Sequence, residues 1–411
     1  MKKLCILIAA LFALNSANAQ WIWQNSTESF DDLYTCFFPN ADTGYAFTTY
    51  SFVKTTNGGA TWTYHTIFGL QHAINSIYFT DANTGYTVNQ HGRICKTTNG
   101  GTTWEYQYSG TVQDLFSVYF PAKDTGYIVG DSGTILKTTT GGLQWTSQHS
   151  LAPWSLYSVC FVDVNTGYAA GGTYWYGNGG MVVKTTDGGN TWTSLPAGTS
   201  YAFVKLFFVN ADTGFAIADS AYSSRILKTT DGGNTWTIKN MNIATDPFRS
   251  LYFANAATGY TVNGCIILKT TTGGDDWIIQ YPGYSNADFY SIYFLNADTG
   301  YAVGYGGPYA YGAIIKTTNG GGYLVGVDDR RPAEGRLKIF PNPGPDKIVV
   351  ETDEASLPGT LSVLDLSGRE LLHETVRRSP AKIDISTLPR GIYVVKLNGE
   401  TSVLVGKVVK E

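Results

Sequence analysis

One tripeptide, Thr-Gly-Tyr or Thr-Gly-Phe, recurs seven times in this chain, with its glycine at Gly44, Gly85, Gly126, Gly167, Gly214, Gly259 and Gly300, at spacings of 41, 41, 41, 47, 45 and 41. A second word, Lys-Thr-Thr, follows each copy, its lysine at Lys54, Lys96, Lys137, Lys184, Lys228, Lys269 and Lys316. A period of this length is that of four-stranded propeller blades. Composition agrees: 47 Gly and 58 aromatics (10 Trp, 28 Tyr, 20 Phe) against 3 Met suit β-structure with tight turns and exclude a helix bundle. With 28 Lys+Arg against 32 Asp+Glu and only 15% charged residues, the chain is neither disordered nor an electrostatic reader of nucleic acid.

Each repeat reads as four short strands, A to D; in the third copy these are Leu115 to Phe120, Tyr127 to Gly130, Ile135 to Thr138 and Trp145 to Gln148. Between C and D stands a Gly-Gly turn preceded by Asn, Asp or Thr, residues that tolerate the positive φ of hairpin turns. The lysine of Lys-Thr-Thr reads as a solvated edge residue. Six copies carry Trp eight residues after that lysine: Trp62, Trp104, Trp145, Trp192, Trp236 and Trp277. The seventh has Leu324 there, but Trp21 precedes Gly44 by 23 residues, the interval that separates Trp62 from Gly85. The N-terminal strand is therefore expected to supply strand D of the last blade, hiding two exposed strand edges; the competing strand is Tyr323 to Val327.

Residues Thr185 to Trp192 and Thr229 to Trp236 resemble Asp-box (bacterial neuraminidase) repeats. That resemblance implies that Asp187 and Asp231 cap hairpin turns while Trp192 and Trp236 pack inside the blade, a structural role. The acidic position is Asn57, Asn99, Asn319, Thr140 or Thr272 in other copies, so the box is degenerate. The full repeat, over residues 21 to 327, resembles propellers of the photosystem II stability and assembly factor type and related sortilin-like propellers.

Both ends of the chain read as addresses. Lys2 and Lys3, the apolar run Leu4 to Leu14 and Ala17-Asn18-Ala19 form a secretory signal peptide over residues 1–19, leaving Gln20 as the first mature residue. No later run approaches a membrane helix in length, so the mature chain is expected to carry no transmembrane segment. Cys36, Cys95, Cys160 and Cys265 are too few for a disulfide scaffold, and Cys36 and Cys160, in apolar strand-like runs, are read as buried thiols rather than a bridge. Near Asp328 the composition changes: residues 328–411 hold 26 of the 60 charged residues and only two aromatics, Phe340 and Tyr393. Residues 328–336 suit a linker, and residues 337–411 contain six or seven short alternating strands that predict a small antiparallel sandwich. The fold class expected is all-β: a seven-bladed β-propeller over residues 20–327, followed by that small antiparallel β-sandwich domain.

The C-terminal stretch resembles the type A sorting domain of the type IX secretion system of Bacteroidetes. Pro341, Asn342 and Pro343 belong to its opening word, Val363 to Gly368 to its middle hairpin, Pro389, Gly391 and Tyr393 to its central signature, and Lys407 and Lys410 to its terminal strand. The resemblance implies export through the periplasm and across the outer membrane, handling by the type IX machinery, removal of the domain by a sortase, and release or attachment at the cell surface.

No metal or nucleophile constellation stands out: His65, His72, His91, His149 and His373 show no paired ligand spacing. The reading is of a protein without cofactor and without catalytic residues. A sialidase would need an arginine triad and a Tyr/Glu pair, whereas the propeller contains three arginines, Arg93, Arg225 and Arg249, and two glutamates, Glu28 and Glu105. Asp131, Asp219, Asp246 and Asp288 lie off the repeated acidic positions and leave a two-carboxylate glycosidase as the alternative. For binding, copies 4, 5 and 7 have longer B to C hairpins, containing Tyr174, Trp175 and Tyr176, then Tyr222, then Tyr305, Tyr309 and Tyr311. Trp154, in a D to A connection, belongs to the same face. These eight aromatics are the candidate ligand-binding residues, for a glycan or a protein, because flat rings with polar edges suit both; the opposing reading packs them against their own loops.

Overall fold

The computed structural model describes residues 21–24, 31–67, 73–150, 152–173, 179–220, 223–239, 247–281, 287–306, 311–321, 337–352, 357–365, 369–399 and 403–411. The signal peptide and linker readings lie outside these residues. Two compact units make up the chain, Met1–Tyr323 and Leu324–Glu411.

In the first unit, seven four-stranded antiparallel sheets follow one another. Blade 3 is typical: A is Leu115–Tyr119, B Gly126–Gly130, C Ile135–Thr138 and D Thr146–Ser147. The last blade is built from both ends of the unit. Asp288–Phe294, Gly300–Gly306 and Tyr311–Thr317 form A to C, and Ile22–Trp23 is D, in the register Ile22↔Lys316 and Trp23↔Ile315. The expected closure by the N-terminal strand is therefore present, and it pairs what would have been two free strand edges.

The repeated words are parts of one inter-blade joint. The Phe that ends each A strand lies flat on the aromatic of the preceding blade's Thr-Gly-Tyr/Phe word, with ring centroids 3.5 to 4.2 Å apart at all seven junctions, from Phe38 on Tyr301 to Phe294 on Tyr260. Its edge meets the blade's Trp at 5.8 to 6.1 Å in a T-shaped contact, and Trp21 completes this set against Phe294. The other side of the Phe ring covers the glycine of its own blade's Thr-Gly-Tyr word: a Cβ on Gly126 would stand 2.5 Å from the Phe120 ring. Glycine is required here by close approach, not by backbone conformation.

The lysine reading is corrected. Lys54, Lys96, Lys137, Lys269 and Lys316 each donate across a blade junction to a Gly-Gly turn carbonyl, that of Gly100, Gly141, Gly188, Gly320 and Gly58 respectively, at 2.5 to 2.8 Å. The same carbonyl accepts the hydroxyl of the Thr-Gly-Tyr tyrosine, as in Tyr86 Oη to Gly141 O at 2.8 Å. The ammonium also lies over that tyrosine's ring, at 5.2 to 5.8 Å in these and the Lys184 blade. A charge that looks solvated in one repeat is thus spent on the next.

Asp187 and Asp231 cap their turns as expected. Asp187 Oδ1 accepts from the Thr191 amide at 2.9 Å and the Thr185 hydroxyl at 2.9 Å, and Oδ2 accepts from the Thr191 hydroxyl at 2.7 Å. Hydrogen bonding, led by the Thr191 amide for Asp187 and the Thr235 hydroxyl for Asp231, holds both carboxyls down at about 2, below the ordinary 3.8. Asn57 accepts the equivalent amide bond from Thr61 and donates to its hydroxyl. Exchanging Asp187 and Asp231 together for Asn should leave the melting temperature at neutral pH nearly unchanged. The acid limb should differ: because the folded pKa lies below the unfolded one, the carboxylates' contribution is present above 3.8 and lost as pH falls through about 2. The double variant should lose less stability over that window, read by circular dichroism during acid titration.

In the second unit, Lys338–Phe340, Lys347–Glu351 and Ala381–Asp384 form one sheet, and Glu370–Val376, Gly359–Leu364, Gly391–Asn398 and Val403–Lys410 the other. Alternation along each strand sends Ile348, Val350 and Ile383 from the first sheet and Leu361, Val363 and Val395 from the second into one core. Ala381–Asp384 is a strand that the sequence reading did not single out. Cys36, Cys95, Cys160 and Cys265 are free thiols, the first three buried.

Candidate functional site

In the propeller the D to A connections and B to C hairpins share one face, and exposed aromatics gather there. Tyr34, Tyr50, Tyr108, Trp154 and Tyr305 all belong to it, Tyr108 being 90% exposed and joined by Val112 at 80%. Among the described residues of the opposite face, the exposed large apolar side chains are Leu143 and Val164, with no aromatic. Trp154, 37% exposed, and Tyr305, 41%, are the two predicted ligand residues whose side chains are described. Tyr174, Trp175, Tyr176, Tyr222 and Tyr309 lie outside the described residues. Tyr311 opens strand C of blade 7, opposite Gly306.

The A strands carry this face into the axis. In blades 2 to 7 each A strand has a bulge near its start, as between Leu115 and Ser117. The extra residue is re-aimed out of the pleat. These residues are Asn75, Phe116, Tyr157, Val204, Arg249 and Tyr290, with Tyr34 in the equivalent place in blade 1, and they form a collar at the channel mouth. Tyr34 stacks on Tyr290 at 5.2 Å, Phe116 meets Tyr157 at 5.2 Å, and Arg249 lies 4.8 Å over Tyr290. Arg249 also pairs with Asp288 at 3.4 Å, and burial pushes the nearby Asp219 carboxyl up. Asp131 accepts the Ser155 hydroxyl at 2.5 Å.

Below the collar the channel encloses a cavity of about 300 Å³. One position after the bulge, six blades present a hydroxyl (Thr35, Ser76, Ser117, Ser158, Ser250, Ser291) and blade 5 presents Lys205. Two residues further along each strand come Phe37, Tyr78, Tyr119, Cys160, Phe207, Tyr252 and Tyr293. Five neighbouring pairs of these rings touch at 4.9 to 5.4 Å, narrowing the channel into an aromatic girdle. Burial raises the Tyr78 hydroxyl and the Cys36 and Cys160 thiols to about 12 and also raises Tyr119, Tyr252 and Tyr293, so all are neutral at physiological pH.

The three arginines of the hydrolase alternative occupy separate blades with separate partners. Arg93 lies over Tyr106, Arg225 over Tyr201 and Arg249 over Tyr290. Asp246 lies outside the described residues.

In the C-terminal unit the first and last of the words read from the sequence as a sorting signal meet. Asn342 donates to Lys407 O at 2.7 Å and accepts from the Val409 amide at 2.9 Å, and the Gly344 amide donates to Val409 O at 2.9 Å. Lys410, buried, reaches Pro345 O and the Asp346 carboxylate. Tyr393 donates to Pro389 O at 2.6 Å. The terminal strand is thereby fixed to the strand-opening word some sixty residues earlier in the chain.

Residues 338–411 match the family model of the secretion system C-terminal sorting domain, and residues 108–202 that of the photosynthesis system II assembly factor YCF48. Among solved structures, YCF48 bound to a D1 peptide is 17% identical with a TM-score of 0.57, over 74% of this chain and 98% of its own. YCF48 from Cyanidioschyzon merolae is 17% identical at 0.58, over 73% and 98%. The GH74 xyloglucanase from Xanthomonas campestris is 10% identical at 0.57, over 93% and 66%. At such identities the likeness is one of fold. No curated protein matches the chain in sequence. The fold is that of assembly-factor-like and related propellers, and the sorting domain supports export to the cell surface or extracellular space. Among the described residues no helix is long and apolar enough to cross a membrane.

Proposed function

We propose that this chain is an exported, non-enzymatic binding protein whose ligand, a glycan or a protein segment, docks on the D to A face of the propeller. The supporting observation is the asymmetry of that face: five exposed aromatics on one side and none among the described residues of the other. Exposed rings of this kind stabilise contacts with sugars and peptides. The C-terminal domain delivers the protein through the type IX machinery and is removed there by a sortase. The second reading, a glycoside hydrolase, rests on the xyloglucanase fold likeness and on Asp219 and Asp288 beside Arg249.

The test is glycan and peptide array binding by the full chain, alongside a Tyr108→Ala/Trp154→Ala variant and a fluorogenic glycoside panel. Binding that falls at least about tenfold in the variant, without turnover, is expected. Turnover of any glycoside moves the assignment to the hydrolase, and silence on both arrays overturns the binding reading.

A further inference from the structure

Among the described residues, Lys205 is the one member of the channel's hydroxyl ring that breaks the repeat. At four junctions the serine of one blade accepts a backbone amide of the next: Val118 N–H donates to Ser76, Val159 to Ser117, Leu206 to Ser158 and Ile292 to Ser250, at 3.0 to 3.3 Å. An ammonium accepts nothing, so Lys205 cannot do the same for Leu251. The chain gives up a repeated hydrogen bond to place a cation on the axis.

That cation is uncompensated. The Lys205 side chain lines the channel and is exposed within it, and among the described residues it forms no ion pair or hydrogen bond. The groups that act on it electrostatically are the thiols of Cys160 and Cys36, both neutral, and enclosure lowers its pKa. An ammonium that projects into a confined channel with no partner is available to an anion that enters, in a charge-assisted hydrogen bond. The surrounding serines are set to help. A hydroxyl that accepts an amide proton still has its own proton to donate, so Ser76, Ser117, Ser158 and Ser250 can each supply a donor to a group in the channel.

We propose that the channel is an anion site in which Lys205 and the serine ring bind a single carboxylate, carried on a slender ligand that enters through the aromatic collar. A lone ammonium balances a monoanion and leaves half of a phosphate dianion unpaired, which favours a carboxylate. The aromatic collar above flanks the carbon frame, and a cavity of about 300 Å³ holds a group the size of a sugar acid or a peptide terminus. The inference deepens the binding reading above and rests on it.

The experiment titrates the full chain by ligand-observed NMR with N-acetylalaninate for a peptide terminus and D-glucuronate for a polysaccharide. N-acetylalaninamide, D-glucose and inorganic phosphate serve as controls, all at millimolar concentration. One or both carboxylates should bind and the two neutral compounds should not. Lys205→Ser, which restores the repeat's own residue, should weaken carboxylate binding at least about tenfold without lowering the melting temperature, and Lys205→Arg should retain binding. The proposal is overturned by equal binding of the neutral compounds, by preference for phosphate, by unchanged binding in Lys205→Ser, or by no carboxylate binding. It is equally overturned if Lys205→Ser lowers stability, since the lysine would then be structural. Array binding that persists while the carboxylates fail removes the channel site and leaves the face.

Discussion

Trp21→Ala should destabilise the whole propeller by about 3–5 kcal/mol, the range of a buried tryptophan emptied to a methyl. Trp21 is 5% exposed and belongs to the last blade's core with Tyr260, Phe289, Phe294 and Ile315. Its edge-on contact to Phe294 at 5.8 Å is the same contact that each other blade makes through its own Trp. What distinguishes it is its strand: Ile22–Trp23 is short, and it joins the blade through pairing with Tyr311–Thr317 alone. Without the indole, little holds that strand to the blade, and the ring reverts to two free edges. Urea unfolding of wild type, Trp21→Ala and Trp154→Ala gives the comparison, since Trp154 is far more exposed and should cost about 0.5 kcal/mol or less. If Trp21→Ala costs no more than Trp154→Ala, the N-terminal strand does not close the ring.

That closure was legible because it depends on periodicity, and the missing seventh Trp is found one interval before the first of the other six. The Thr-Gly-Tyr, Gly-Gly and Trp positions were legible for the same reason. The lysine was not, because its acceptor lies in the next repeat: Lys96 reaches Gly141, and nothing within one copy reveals that. A lysine in a short strand beside a turn has the local signature of a solvated edge, and only the packing of blade on blade converts it into a junction. The channel was half legible. Aligning the A strands puts Lys205 in a column of serines, a signal present in the sequence that compares only repeated words would miss. The collar was not legible, since a one-residue bulge reverses which face the preceding side chain takes, and an alternation read from sequence places Phe116 and Arg249 on the wrong side. Trp154 and Tyr305 could be anticipated from their connections, whereas Tyr108 follows directly on a D strand and carries no mark of its exposure.

Gly126→Ala should cost about 1–3 kcal/mol, as overpacking does in a filled core, although the backbone there is an ordinary extended strand. The added methyl would stand 2.5 Å from two atoms of the Phe120 ring. The ring cannot retreat: its far face lies on Tyr86 at 4.2 Å and its edge meets Trp145 at 6.1 Å, so a shift is passed to the preceding blade. Tyr86 is in turn tied by its hydroxyl to Gly141, which also holds Lys96. The cost is therefore expected to appear as steric coupling between Gly126 and Phe120, separable from any change in strand propensity by a double-mutant cycle. Phe120→Leu alone should destabilise by removing the stacked ring, but adding Gly126→Ala to it should cost little, because the slimmer side chain leaves room for the methyl. Additive costs in chemical denaturation, or a Gly126→Ala protein as stable as wild type, would refute the account. Coupling of the expected sign would explain the tripeptide itself: glycine is kept at all seven positions because a ring from the same blade lies where a side chain would go.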